Sequence, residues 1–182
     1  MVAAESAYLA AAYLSAAMVT LETWKPLRGC LESAAYGYYI HLNPERWRPW
    51  LECNKTDKAE REIGYEFSFS RICREWLGKN EPKMADRAVE LYHEAIQRGA
   101  HFNQLGFRSN LTKLNFATRR GKFNVIGGDV ASILYSWRKT LEVGHLSLRI
   151  FDLVFADKWS PAISGRIYKL QESIRKLPKG AM

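Results

Sequence analysis

Arg138 and His145 close the stretch Arg-Lys-Thr-Leu-Glu-Val-Gly-His. On an α-helix, seven residues return a side chain to nearly the same angular position two turns along. A guanidinium stabilises charge developing on a phosphoryl group and an imidazole moves protons, so the pair fits chemistry at one phosphate. The plainer reading is a solvated Arg138 and a His145 hydrogen-bonded at a helix packing seam beside Gly144. A second pair, Arg28 and Glu32, sits at i and i+4 among apolar neighbours. As an intrahelical ion pair it contributes roughly 0.2–0.5 kcal/mol. Inside a bundle it would fix helix register or contact a polar ligand.

The third candidate is a segment without acids. Residues 95–128 contain no Asp or Glu, but hold Arg98, Arg108, Lys113, Arg119, Arg120 and Lys122, interleaved with Phe102, Phe107, Phe116 and Phe123. Basic side chains neutralise phosphates and exposed aromatics stack on bases, so weak binding to nucleic acid or another anion follows if this surface is open. If the phenylalanines face the core, the charges only solvate a loop. Charge is uneven over the whole chain as well. Residues 1–53 carry four basic and five acidic side chains; the remainder carries 23 and 14.

Other chemistries are poorly supplied. Cys30, Cys53 and Cys73 form no CxxC and read as buried or idle thiols in a reducing compartment. The four histidines make no HxxxH or HExxH, so no metal site and no cofactor is expected. No phosphate-binding loop, dinucleotide fingerprint or G-x-S-x-G occurs. The run Ala7–Leu21 is apolar, but Glu5 precedes it in place of a basic flank and it is short for a membrane span. It reads as a buried helix of a cytoplasmic protein, with no membrane partner.

The elements that must position these residues are helical. At 182 residues, 47 % apolar and 13 % aromatic, the chain supports one packed domain, 1–182, and the apolar content argues against disorder. Three-and-four periodicity predicts a helix over Ala3–Thr23 and a second from Pro26, in its first turn, to His41. Asn43-Pro44 stops the second, and the two form an antiparallel pair. A short amphipathic helix follows over Glu45–Cys53. Thr56 caps the next helix, whose apolar positions run from Ile63 through Phe67, Ile72 and Trp76 to Leu77. Phe67-Ser-Phe69-Ser alternates like a strand but is too short to overrule that pattern. Gly78–Pro82 is a break, Asn80 a cap, and a helix runs from Pro82 to Gln97.

Two apolar runs around Arg119-Arg120-Gly121-Lys122 predict one small β-hairpin near residues 108–126. Asp129 then caps the clearest helix, Val130–Ala156, with a seam of Leu134, Trp137, Leu141, Gly144, Leu148, Phe151 and Phe155. A last helix starts at Ser160-Pro161 and runs to Leu177. The fold class is therefore mainly α, a bundle of about six or seven helices.

Two resemblances attach to these motifs. The Arg138–His145 spacing resembles the Arg-x4–6-His motif of HEPN ribonucleases, which are helical, dimeric and common in prokaryotic defence systems. It covers this octapeptide alone, and Lys139 stands where that family has Asn, Asp or His. It implies RNA as substrate, with Arg138 and His145 as the catalytic pair. More broadly, Leu91-Tyr-His-Glu-Ala-Ile-Gln-Arg-Gly-Ala-His-Phe-Asn103 resembles the Gly-Ala-His-Pro-Asn helix end of a family of bacterial all-helical proteins, departing at Phe102. Arg28-Gly-Cys-Leu-Glu32-Ser-Ala resembles their Arg-x-x-x-Glu helix. The likeness implies the fold, and makes His101 and Asn103 loop residues of interest without implying a reaction.

These readings converge on a non-enzymatic helical bundle that self-associates, most simply as a dimer, or binds a ligand. Its candidate binding residues are Arg28, Glu32, His101, Asn103, Arg119, Arg120 and Lys122. A pocket near Arg28, Glu32 and His101 is one version of ligand binding. The alternative is a HEPN-like RNA-binding protein or ribonuclease using Arg138 and His145.

Overall fold

The computed structural model describes residues 1–100, 111–115, 120–123 and 130–177. Within them the chain is mainly α-helical. Helix α1, Val2–Ala16, ends where Met18 takes a left-handed φ of 61°. The Met18 amide donates to the Ser15 carbonyl and the Val19 amide to that of Leu14. This is the paired closure that ends a helix through one left-handed residue. α2, Thr20–Leu42, therefore starts earlier than expected, and Pro26 lies inside it rather than in its first turn.

After a 3-10 turn at Pro44–Arg46 comes α3, Trp47–Leu51, and after another at Cys53–Lys55 comes α4, Asp57–Glu66. Thr56 caps α4 by accepting from the Ala59 amide. The continuous helix expected through Leu77 instead breaks at Phe67-Ser68, where Ser68 is extended. In one unbroken helix Phe67 and Phe69 would point about 200° apart. The break brings both into the core, each 3 % exposed.

α5 covers 69–80: Phe69–Ile72, a π-helical turn at Cys73–Leu77, then Gly78–Asn80. α6, Pro82–Ala95, follows with Pro82 in its first turn, and passes into a π turn, Ile96–Ala100. Asn80 does not cap α6; its amide donates to the Tyr38 hydroxyl. Segments Leu111–Asn115 (β1) and Arg120–Phe123 (β2) run antiparallel, with Leu111 opposite Phe123. Most of the span read as a hairpin, including its turn at 116–119, lies outside the described residues. So does Asp129. α7, Val130–Phe155, and α8, Pro161–Arg175, complete the chain.

α2 is the central helix, packing on α1, α7, α5, α6 and the 96–100 turn. Leu27, Leu31 and Ala34 on α2 are 0 % exposed, as is Ile150 on α7. The buried face of α7 keeps Gly144 and Phe151 of the expected seam but is otherwise rotated from it. Leu134, Trp137 and Leu148 are exposed, while Ser136, Thr140, Val143, Ser147 and Ile150 are buried. Small residues win this face because they let α1 and α2 approach closely. Their hydroxyls are satisfied across the contact: Ser15 with Ser136 at 3.2 Å, Thr140 on Ser15 at 3.3 Å, and Ser147 with Cys30 at 3.3 Å. α1 is likewise only half covered: Ala4 and Ala11 are buried, Leu9 and Tyr13 are exposed. Among the described residues no helix is long and apolar enough to cross a membrane.

Candidate functional site

α6 and α7 meet through charge. Glu94 of α6 accepts from Arg98 at 2.9 Å, from the Tyr135 hydroxyl, and from the Lys139 ammonium at 2.9 Å. One turn further along α7, Glu142 takes Arg138 at 3.0 Å, Arg87 from α6, and Lys139 at 3.5 Å. Lys139 is only 7 % exposed. Burial alone would lower its ammonium pKa, but hydrogen bonding to Glu94 and the Glu142 charge outweigh that and raise it. Burial alone would raise the Glu142 carboxyl; Lys139, Arg87 and Arg138 together hold it below the ordinary carboxylate value. The Arg98 guanidinium lies over the Tyr135 ring, 4.3 Å from its centroid, which closes the network on one side.

Beside this network, α6, α7 and α8 enclose a groove of about 510 Å³. Arg138 and His145 both line it, together with Arg87, Arg149, Arg175 and Lys83. Arg138 and His145 each already make hydrogen bonds within the protein. Arg138 donates to Glu142 through Nε and to the Leu177 carbonyl through Nη1. His145 Nε2 lies 3.1 Å from the Ile167 carbonyl, and a carbonyl only accepts, so that nitrogen carries the proton. Burial most of all lowers the His145 pKa, the Ile167 hydrogen bond opposes this, and Arg149 and Arg175 add repulsion.

The other side of His145 borders a different cavity. Between α1, α7 and α8 lies a chamber of about 310 Å³ whose walls include Ala4, Tyr8, Leu141, Leu148, Phe151, Trp159 and Leu170. Its few polar groups are Glu5, the Tyr8 hydroxyl, Cys30, His145 and Ser147. Gly144 makes room for Tyr8 here: a Cβ at that position would lie 2.3 Å from the Tyr8 Cε2. The Cys30 thiol is pushed up by burial and so stays protonated.

Arg28 and Glu32 form the expected i, i+4 pair at 3.0 Å, but the cluster extends to α6. The Tyr92 hydroxyl donates to the same Glu32 oxygen at 2.9 Å, and the Arg28 guanidinium lies 5.3 Å from the Tyr92 ring centroid. Burial, then the Glu32 carboxylate, push Tyr92 up to about 12. Phe69 stacks on that ring with centroids 4.2 Å apart. The arrangement bolts α2 to α6.

His101, Asn103 and Arg119 lie outside the described residues, and Arg120 and Lys122 are placed by their backbone in β2. Among the described residues no three His, Cys, Asp or Glu groups gather to hold a metal ion. Cys30, Cys53 and Cys73 are all free. Sequence reasoning missed Glu94, Tyr135, Lys139 and Glu142, although Glu94–Arg98 and Arg138–Glu142 were visible as i, i+4 pairs. It also missed the chamber, whose walls come from positions more than 130 residues apart (Ala4 and Leu141, for example). Comparison with known protein families, curated proteins and solved structures returned no match, so the chemistry of these sites rests on their geometry.

Proposed function

We propose that this chain is a non-enzymatic helical bundle that binds a small, mostly apolar ligand between α1, α7 and α8 and self-associates through α1. The chamber carries the reading. A cavity of about 310 Å³ stands at the lower end of the range for small-molecule sites, roughly 300–1,000 Å³, and has their usual make-up of apolar walls with few polar groups. It suits a single ring system or short acyl chain carrying one hydrogen-bonding group, for which the Tyr8 hydroxyl and Ser147 are partners. The three free thiols support a reducing, cytoplasmic setting.

Ala4 is 1 % exposed and faces this chamber, so a larger side chain there fills it. Titration with an environment-sensitive apolar dye should give one saturable site in the wild type. Ala4→Phe should weaken that site at least tenfold while leaving the helical circular dichroism intact. Undiminished dye binding by Ala4→Phe would remove the chamber as the ligand site.

A second reading is favoured by one observation: Arg138 and His145 line the same groove. It is the HEPN-like one, an RNA-binding protein or ribonuclease, with the acid-free stretch 95–128 and its proposed β-hairpin at 108–126 as the basic surface. Cleavage of single-stranded RNA that disappears in His145→Ala would replace the first reading with this one.

A further inference from the structure

We infer that the groove between α6, α7 and α8 is a second binding site, separate from the chamber, for a small phosphorylated organic molecule of nucleotide size. Charge is the first argument. Five cationic side chains face the groove against two carboxylates, Glu81 and Glu142. The single Glu142 charge is already shared among Arg87, Arg138 and Lys139. Lys83 and Arg175 are exposed, and neither forms an ion pair among the described residues. Arg149 meets Glu81 only at 3.8 Å and rests over the Tyr168 ring. The positive charge is felt at His145 as well, whose charged form Arg149 and Arg175 both disfavour. An incoming phosphate relieves that repulsion, and guanidinium groups from α7 and α8 can grip it bidentately.

Shape supplies the second argument. The volume, about 510 Å³, far exceeds what an inorganic anion fills. The lining also includes the buried apolar side chains of Met84, Leu91, Leu146 and Ile174. A lining that combines several cations with buried apolar side chains matches a ligand that joins a phosphate to a ring or chain. A polynucleotide asks for something else, a track of cations that follows its backbone with aromatic platforms beside it. Here the cations converge on one concavity.

The test is calorimetric titration of the full chain with adenosine diphosphate, sodium pyrophosphate and a single-stranded oligouridylate. Adenosine diphosphate should bind at one site, more tightly than pyrophosphate, and weaken as salt rises. Lys83→Glu and Arg175→Glu change exposed side chains, so both variants should fold normally by circular dichroism, and each should weaken the nucleotide at least tenfold. Ala4→Phe should leave it unchanged, which separates this site from the chamber. Equal affinity for pyrophosphate and nucleotide would overturn the inference. So would indifference to both charge reversals, loss in Ala4→Phe, absence of nucleotide binding, or oligouridylate binding without nucleotide binding.

Discussion

His145 lines both cavities, and its surroundings resist its protonation. Burial, reinforced by Arg149 and Arg175, holds its folded pKa below the ordinary value of 6.5 despite the hydrogen bond to Ile167. The unfolded chain then binds the proton more readily than the folded one. Stability contributed by neutral His145 is complete above pH 6.5 and is lost as pH falls through the lower folded value. Urea unfolding midpoints should accordingly drop between pH 7.5 and pH 5, and His145→Gln should flatten that drop. An identical pH profile in the variant would show that His145 is not the titrating group. The residue scale also shows what the Arg138–His145 spacing concealed. Periodicity places both on one side of a helix, but it does not reveal that Glu142 and the Leu177 carbonyl engage the first, or that Ile167 engages the second.

At the scale of elements, two glycines decide how closely helices approach, and they should respond differently to the same change. A Cβ on Gly99 would lie 2.5 Å from the Leu21 carbonyl oxygen, a backbone atom that cannot yield without shifting α2. A Cβ on Gly144 would strike the far end of the Tyr8 side chain, which can rotate away. Gly99→Ala should cost about 2–3 kcal/mol and Gly144→Ala about 1 kcal/mol, measured by chemical unfolding. The reverse order would mean the 96–100 turn does not bear on α2 as described. Helix existence was legible from the sequence because the three-and-four spacing, Thr56, Asn43-Pro44 and Pro161 are local signals. Boundaries set by tertiary contact were not. The stop at Met18 uses a residue with no glycine-like signature, and the break at Ser68 exists so that two phenylalanines can share one core. The face of α7 was misread for a related reason. Gly144 and Phe151 of the expected seam are buried, but Leu134, Trp137 and Leu148 are not, because close approach to α1 and α2 selected serine and threonine on part of the buried face.

For the whole molecule, that misreading leaves apolar surface to account for. α1 carries one charged residue, Glu5, and exposes Val2, Leu9 and Tyr13. α7 exposes Leu134 and Trp137 next to it, with the Trp137 indole donating to the Ser15 carbonyl. A shallow groove of about 290 Å³ between the two helices is lined by Tyr8, Ala12, Ala16, Trp137 and Leu141. A helix apolar on all sides is normally enclosed, so the uncovered side asks for a partner. A second copy suits it best, because two uncharged α1 faces can meet without desolvating unpaired charge, and twofold pairing is the commonest oligomeric arrangement. α1 alone spans roughly 22 Å, too little for the about 800 Å² per subunit of a stable interface, so Trp137 and Leu134 must take part. Sedimentation at tens of micromolar should therefore give a dimer of the 20.9 kDa chain. Tyr13→Glu and Trp137→Glu should each shift it toward monomer, by at least tenfold in dissociation constant. A concentration-independent monomer in the wild type would reject the dimer. It would leave the chamber and the basic groove standing, since every wall described for them comes from a single copy.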